Sequence, residues 1–258
     1  MSAAAGAKTV LITGATGGIG GALADAYAEP GATLILHGRN AARLAELAAF
    51  CEGKGARVLT EAFDIRDRDL LFAWLARVCE TEAVDLAIAN AGVNINIGAD
   101  GEGERWPAME ELIDVNVLAT LATVHGVLPA MRRRGRGQIA LISSLAGFYG
   151  LPVTPSYSAS KAALKAYGEA LRGWLAGEGI RINVVMPGYV ESAMCEAMPG
   201  PKPFLWPAER AARTIRRALA ADRARITFPF PLDLGCWFLS VLPPETSRRI
   251  LRWLDYGA

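Results

Sequence analysis

The stretch "KTVLITGATGGIG", residues 8–20, decides the fold. A short run from Thr9 to Thr13, rich in β-branched residues, leads directly into a glycine-rich turn. That turn opens "GIGGALADAYAEPG", patterned as a helix until Pro30 and Gly31 stop it. Gly14, Gly18 and Gly20 keep side chains away from the backbone, so a pyrophosphate can approach the helix N-terminus. The spacing is G-x-x-x-G-x-G, and such a turn also serves simply to pack a helix closely on a strand. Its place between strand and helix favours a dinucleotide.

The same alternation continues along the chain. "TLILH" (33–37), "ARVLTEAFD" (56–64), "VDLAIANAG" (84–92), "GQIALISS" (137–144) and "IRINVVMPG" (180–188) read as strands. Between them lie helical patterns at 40–53, 68–80, about 107–133 and 157–177, with a further helix at about 207–222 and a strand "RITFP" beyond. Apolar runs without in/out alternation suit a parallel sheet covered by helices on both faces. Right-handed crossovers then predict an α/β, Rossmann-like, doubly wound and mostly parallel sheet of about seven strands, order 3-2-1-4-5-6-7, with ligands at the carboxyl ends. No linker, repeat or low-complexity tract interrupts residues 1–258, which read as one domain.

Composition narrows the function. The 258 residues are 52% hydrophobic and 21% charged, with a formal net charge of +1, so no global field favours nucleic acid or an anionic membrane. "RRRGR" (132–136) and "ERAARTIRR" (209–217) read as solvated helix ends or faces. Four cysteines form no CxxC pair and only His37 and His125 are present, which argues against a metal site and suits reduced thiols. The opening "MSAAAGAKTVLITG" shows no signal-peptide pattern, and no stretch reaches the roughly 20 apolar residues of a membrane span. A cytoplasmic protein is expected.

Other strand ends carry ligand chemistry. In "LILHGRN", Gly38 stands where an NAD site usually has a carboxylate, and Arg39 follows. A guanidinium can hold a ribose 2′-phosphate bidentately, so NADP(H) is favoured over NAD(H). The alternative is that Arg39 is an exposed loop residue. Asp64 is placed to accept from an adenine amino group, with Ile65 packing on the ring, and Asn90, Ala91 and Gly92 allow backbone close to a ribose. In "PSYSASKAAL" (155–164), Tyr157 and Lys161 lie at i and i+4 on one helical face. A neighbouring cation lowers the pKa of a phenol, ordinarily about 10. Taken singly, Tyr157 reads as a half-buried core tyrosine, Ser144 as a strand-end serine, Lys161 as a surface lysine and Asn116 as a satisfied helix polar.

Their order and separations change that reading. "TGATGGIG", "NAG" (90–92), "DVN" (114–116), "SS" (143–144), "YSASK" (157–161) and "PGYVES" (187–192) together resemble the short-chain dehydrogenase/reductase family, from about Lys8 to Met194. The resemblance implies a nicotinamide coenzyme, an alcohol or carbonyl substrate, and a catalytic set of Asn116, Ser144, Tyr157 and Lys161. Tyr157 is then the acid or base, Ser144 donates to the reacting oxygen, and Lys161 holds the nicotinamide ribose. Asn116 distorts its helix and orders a water that relays protons to Lys161. Coenzyme contacts implied are Gly14, Thr16, Gly18, Ile19, Gly20, Arg39, Asp64, Ile65, Asn90, Ala91, Gly92, Tyr157, Lys161, Pro187, Gly188, Val190 and Ser192. The family often has threonine where Ser192 stands. A homodimer or homotetramer is also implied.

Residues 193–207 correspond to a substrate lid, stiffened by four prolines. Ala146, Phe148, Tyr149, Leu151, Val153, Tyr189 and Met194 are the candidate pocket residues; almost none is charged, which predicts a small apolar carbonyl or alcohol substrate. They equally suit core packing. The C-terminal extension 229–258 contains "LGCWFLSVL" (234–242) followed by "RRILRWL". Three readings stand open: a protein interface or core, a wall of the substrate tunnel, or an interfacial membrane anchor. A non-catalytic nucleotide-binding scaffold and a membrane-associated lipid oxidoreductase are the rivals to a soluble reductase.

Overall fold

Each alternation becomes a strand–helix pair in the computed structural model, which describes residues 9–98 and 101–254. The expectation that no targeting segment opens the chain falls largely on residues 1–8, outside the described residues. β1 (Thr9–Ile12) leads through the glycine turn to α1 (Gly18–Tyr27). β2 (Thr33–Gly38), α2 (Ala41–Gly53), β3 (Arg57–Ala62), α3 (Arg68–Thr81), β4 (Leu86–Ala89) and α4 (Trp106–Ile113) follow. A π turn, Asp114–Leu118, joins α4 to α5 (Ala119–Arg134). Then come β5 (Gly137–Ile142), α6 (Pro155–Trp174), β6 (Ile180–Pro187), α7 (Ala193–Glu196), α8 (Ala208–Ala220) and β7 (Arg225–Phe228). Two helices, α9 (Leu232–Val241) and α10 (Pro244–Trp253), lie beyond the last strand.

The seven strands pair in the order β3-β2-β1-β4-β5-β6-β7, and every pairing is parallel. Along β1 the side chains alternate between two apolar layers, as strand geometry requires. Val10 and Ile12 pack with Leu23 of α1 and Ile215 of α8, whereas Leu11 packs with Leu71 and Leu75 of α3 and Val127 of α5. Both faces of the central strands are therefore covered, whereas edge strand β3 leaves Arg57, Thr60 and Ala62 exposed.

Several boundaries differ from the sequence reading for local reasons. α1 stops at Tyr27 because Pro30 excludes the helical conformation from the residue before it. α6 begins at Pro155, two residues early, since proline suits the first helical turn, where no N–H is needed. The helix expected over 107–133 is divided by the π turn, at the place where the resemblance implied a local distortion around Asn116. As a whole, 106–134 is long and apolar enough to cross a membrane by length and composition, contrary to expectation, but 56% of its most apolar window is buried. Val124, Val127 and Met131 pack it into the core.

Glycines set how closely α6 lies on the sheet. A Cβ at Gly168 would sit 2.4 Å from Val184 Cγ2 and 2.9 Å from Leu141 Cδ1. The helix thus rests directly on β5 and β6, and its first two turns reach over their carboxyl ends.

Candidate active site

The carboxyl ends of the strands border a cleft of about 990 Å³, at the top of the roughly 300–1,000 Å³ range of ligand pockets. Gly14, at φ +65°, admits no side chain: a Cβ there would lie 2.7 Å from Ala91 Cα. A Cβ on Gly18 would meet Glu191 O at 2.7 Å, and one on Gly20 would meet Gly14 O at 2.3 Å. Asn90 pins this turn. Its Nδ2 donates to Thr13 O and Gly14 O, both at 3.0 Å, while the Asn90 and Ala91 N–H groups donate to Thr13 Oγ1. The α1 N-terminus has no side-chain cap, so its first N–H groups remain available to an anion. This cradle fits the phosphates of a dinucleotide.

At one end of the cleft stand Gly38, Arg39, Asn40 and Arg43. The Arg39 side chain is 59% exposed and, among the described residues, its one ion pair is a long 3.8 Å contact with Glu111, leaving its guanidinium open to a further anion. Asp64 and Ile65 line the same end. The Asp64 carboxylate accepts from Arg66 Nη2 at 2.6 Å and from Arg66 Nε, and this hydrogen bonding holds its pKa down to about 2. A hydrogen bond from adenine must therefore share oxygens already used by Arg66. Thr16, Ile19, Gly92, Pro187, Gly188, Val190 and Ser192 also border the cleft. Ser192 caps α7, accepting from Cys195 N at 3.1 Å.

At the other end, Tyr157, Ser144 and Lys161 meet. The Lys161 ammonium lies 5.4 Å from the centre of the Tyr157 ring and donates to Ile142 O at 3.0 Å. Ser144 Oγ caps the short turn that follows β5, accepting from Ala146 N at 3.2 Å. Burial pushes the Tyr157 phenol up to about 12, opposed by its hydrogen bond with Ser144. The same burial pulls Lys161 down to about 8. The expected depression of the phenol by Lys161 is thus not what the protein alone displays; desolvation is the stronger effect here.

Asn116 does not reach the cleft. It is fully buried in the π turn, where Oδ1 accepts from Val93 N at 2.8 Å and Nδ2 donates to Val93 O and Ser160 Oγ, each at 3.0 Å. A Cβ on Gly92 would lie 3.3 Å from Asn116 Oδ1 and 3.5 Å from Lys161 Nζ. Asn116 therefore stands behind Gly92 and Lys161, held by Val93 and Ser160.

Ala146, Leu151, Tyr189 and Met194 line the substrate end. Phe148, Tyr149 and Val153 do not. Phe148 turns away to pack on Leu145, Val184 and Met186, with the Lys165 and Arg225 cations over its ring. The C-terminal extension takes their place, in line with the tunnel-wall reading among the three left open for it: Leu232, Cys236, Phe238 and Leu239 of α9, and Ile250 and Leu251 of α10 border the cleft. Asn40 and Arg43 were missed. Asn40 carries an ordinary helix-cap signature, its Oδ1 accepting from Arg43 N at 3.0 Å, and that cap turns Arg43 toward the cleft mouth.

Comparison with known proteins places the chain in a family. The family described as short chain dehydrogenase matches residues 8–200. An uncharacterized oxidoreductase of Myxococcus xanthus is 35% identical over 242 residues, covering 92% of this chain and 93% of that protein. A short-chain dehydrogenase from Sphingobium yanoikuyae in complex with NADPH superposes with a TM-score of 0.80 at 24% identity, covering 95% and 94% of the two chains. A short chain dehydrogenase from Mycobacterium paratuberculosis bound to NAD gives 0.73 at 27% identity, covering 85% and 95%.

Proposed function

The chain belongs to the short-chain dehydrogenase family of oxidoreductases, and on that premise we propose that it is an NADP(H)-dependent reductase or dehydrogenase acting on an apolar ketone, aldehyde or secondary alcohol. The coenzyme supplies the hydride in reduction and accepts it in oxidation. In reduction Tyr157 would give its hydroxyl proton to the substrate's carbonyl oxygen as that oxygen gains negative charge. Oxidation reverses each step. Ser144 donates a hydrogen bond to the same oxygen as its charge develops. The Lys161 ammonium stabilises the phenolate left behind until solvent returns a proton.

The convergence of Tyr157, Ser144 and Lys161 on one wall of the cleft carries this reading. Preference for NADP(H) is supported by Arg39 and Arg43, and by Gly38 in place of a carboxylate. The apolar substrate class is supported by Leu151, Met194, Leu232 and Leu239, which also line the cleft. A panel of ketones, aldehydes and alcohols followed at the nicotinamide absorbance, with both coenzymes, tests the proposal. Turnover of an apolar member with NADPH is expected. NADPH binding without oxidation by any carbonyl compound would return the chain to the status of a nucleotide-binding scaffold.

A further inference from the structure

The two helices beyond β7 show opposite characters on their two sides. Inward, Leu239 and Leu251 are buried and line the cleft. Ser247 Oγ donates to Leu239 O at 2.8 Å, tying α10 to α9. Outward, Phe230, Leu234, Trp237, Phe238, Val241 and Trp253 are all exposed, Phe230 at 77% and Trp253 at 83%. Such a concentration of bare aromatic and aliphatic surface marks a site of contact. Beside it, α10 carries the exposed Arg248, Arg249 and Arg252. Glu245 pairs with Arg248, and Asp233 is engaged by Thr227. Arg249 and Arg252 have no acidic partner among the described residues.

We propose that α9 and α10 dock on an anionic lipid surface, with the substrate end of the cleft opening toward the bilayer. Tryptophan and phenylalanine beside arginine suit the boundary between acyl chains and headgroups. At about 1.5 Å per residue, a helix of α9's length reaches only half of a hydrocarbon core of about 30 Å, so it lies in the interface and does not cross it. Phe238 and Leu254 link the two regions, each being exposed outside and bordering the cleft within. An apolar substrate can pass between bilayer and cleft along that edge without crossing water. This delivery rests on the apolar substrate proposed above; the docking does not.

A second copy of the chain fits the face less well. A two-fold contact sets the same patch against itself, bringing the arginines of both copies together while, among the described residues, Glu245 and Asp233 are already engaged. Anionic headgroups complement them instead.

Flotation of the full chain with vesicles tests the docking. With equal parts phosphatidylcholine and phosphatidylglycerol the chain is expected to float, and severalfold less of it with phosphatidylcholine alone. The variant Phe230→Ser/Trp237→Ser/Trp253→Ser, none of whose positions lines the cleft, is expected to lose at least about tenfold in partition, since each aromatic no longer buries apolar area. Circular dichroism and coenzyme affinity verify that it folds. Arg249→Gln/Arg252→Gln should weaken binding to the anionic vesicles only. Tyr157→Phe should float as the parent does, so failure of the catalytic reading and failure of the docking are distinguishable. Absence of flotation, or flotation unchanged in the serine variant, overturns the proposal. So does a dimer in solution that the serine variant abolishes while vesicles are ignored.

Discussion

Tyr157 and Lys161 were legible because helical spacing alone puts them on one face, and the order of motifs around them, similar to that of the short-chain dehydrogenase/reductase family, gave the pair a chemical context. Their electrostatic balance was not legible, because it depends on how much water the fold removes. Replacing Tyr157 with Phe should lower turnover by about 10²–10⁴, the usual contribution of a positioned acid, while coenzyme affinity measured by fluorescence stays within twofold. Lys161 titrates at about 8, so its charge is present below that pH and lost above it. The rate of carbonyl reduction at low substrate should accordingly decline as pH rises through about 8; a profile that stays level well beyond it contradicts the role of the ammonium. At the other end of the cleft, Arg39→Ala should weaken NADPH by about tenfold or more, the loss of a charge-assisted hydrogen bond, and NADH by much less. Equal losses in titration calorimetry remove Arg39 from contact with a 2′-phosphate.

At the level of elements, the central strands were readable as largely apolar runs, and β1 shows why: Val10, Leu11 and Ile12 are all buried, on alternating faces. What the periodicity does not reveal is where a helix departs from regularity. The π turn at Asp114–Leu118 lies inside an unbroken helical pattern, and the residues that fill it are partners distant in sequence, Val93 and Ser160. Asn116→Ala leaves both the N–H and the C=O of Val93 without that partner, and a stability loss of about 1–3 kcal/mol is expected from denaturant unfolding. Gly168→Ala tests the seating of α6, since its Cβ would overlap Val184 at 2.4 Å. A loss of about 1–3 kcal/mol is expected, and an unchanged midpoint would mean that α6 stands farther from the sheet. Phe148 shows the converse limit: beside Ser144 in sequence it suggested a pocket residue, yet it turns into an apolar cluster on the far side of the turn.

For the molecule as a whole, the doubly wound sheet predicted from strand and helix order gathers residues from six strand ends, β1 to β6, into one cleft, with a phosphate cradle in the middle. The C-terminal extension was the least legible part, because an apolar run in sequence does not say which side faces inward. In the fold it does two things: α9 and α10 wall the substrate end and also leave bare aromatic surface outside. The fold, the cradle and the Tyr157–Ser144–Lys161 group all point to one event, the transfer of a hydride to a carbonyl carbon within this cleft. NADPH carrying deuterium at its transferable position, incubated with an accepted apolar ketone, tests that event most directly. The account predicts one deuterium on the carbinol carbon of the alcohol with the parent protein, and almost none with Tyr157→Phe. Coenzyme oxidised without label in the product, or the same yield from the phenylalanine variant, would contradict it.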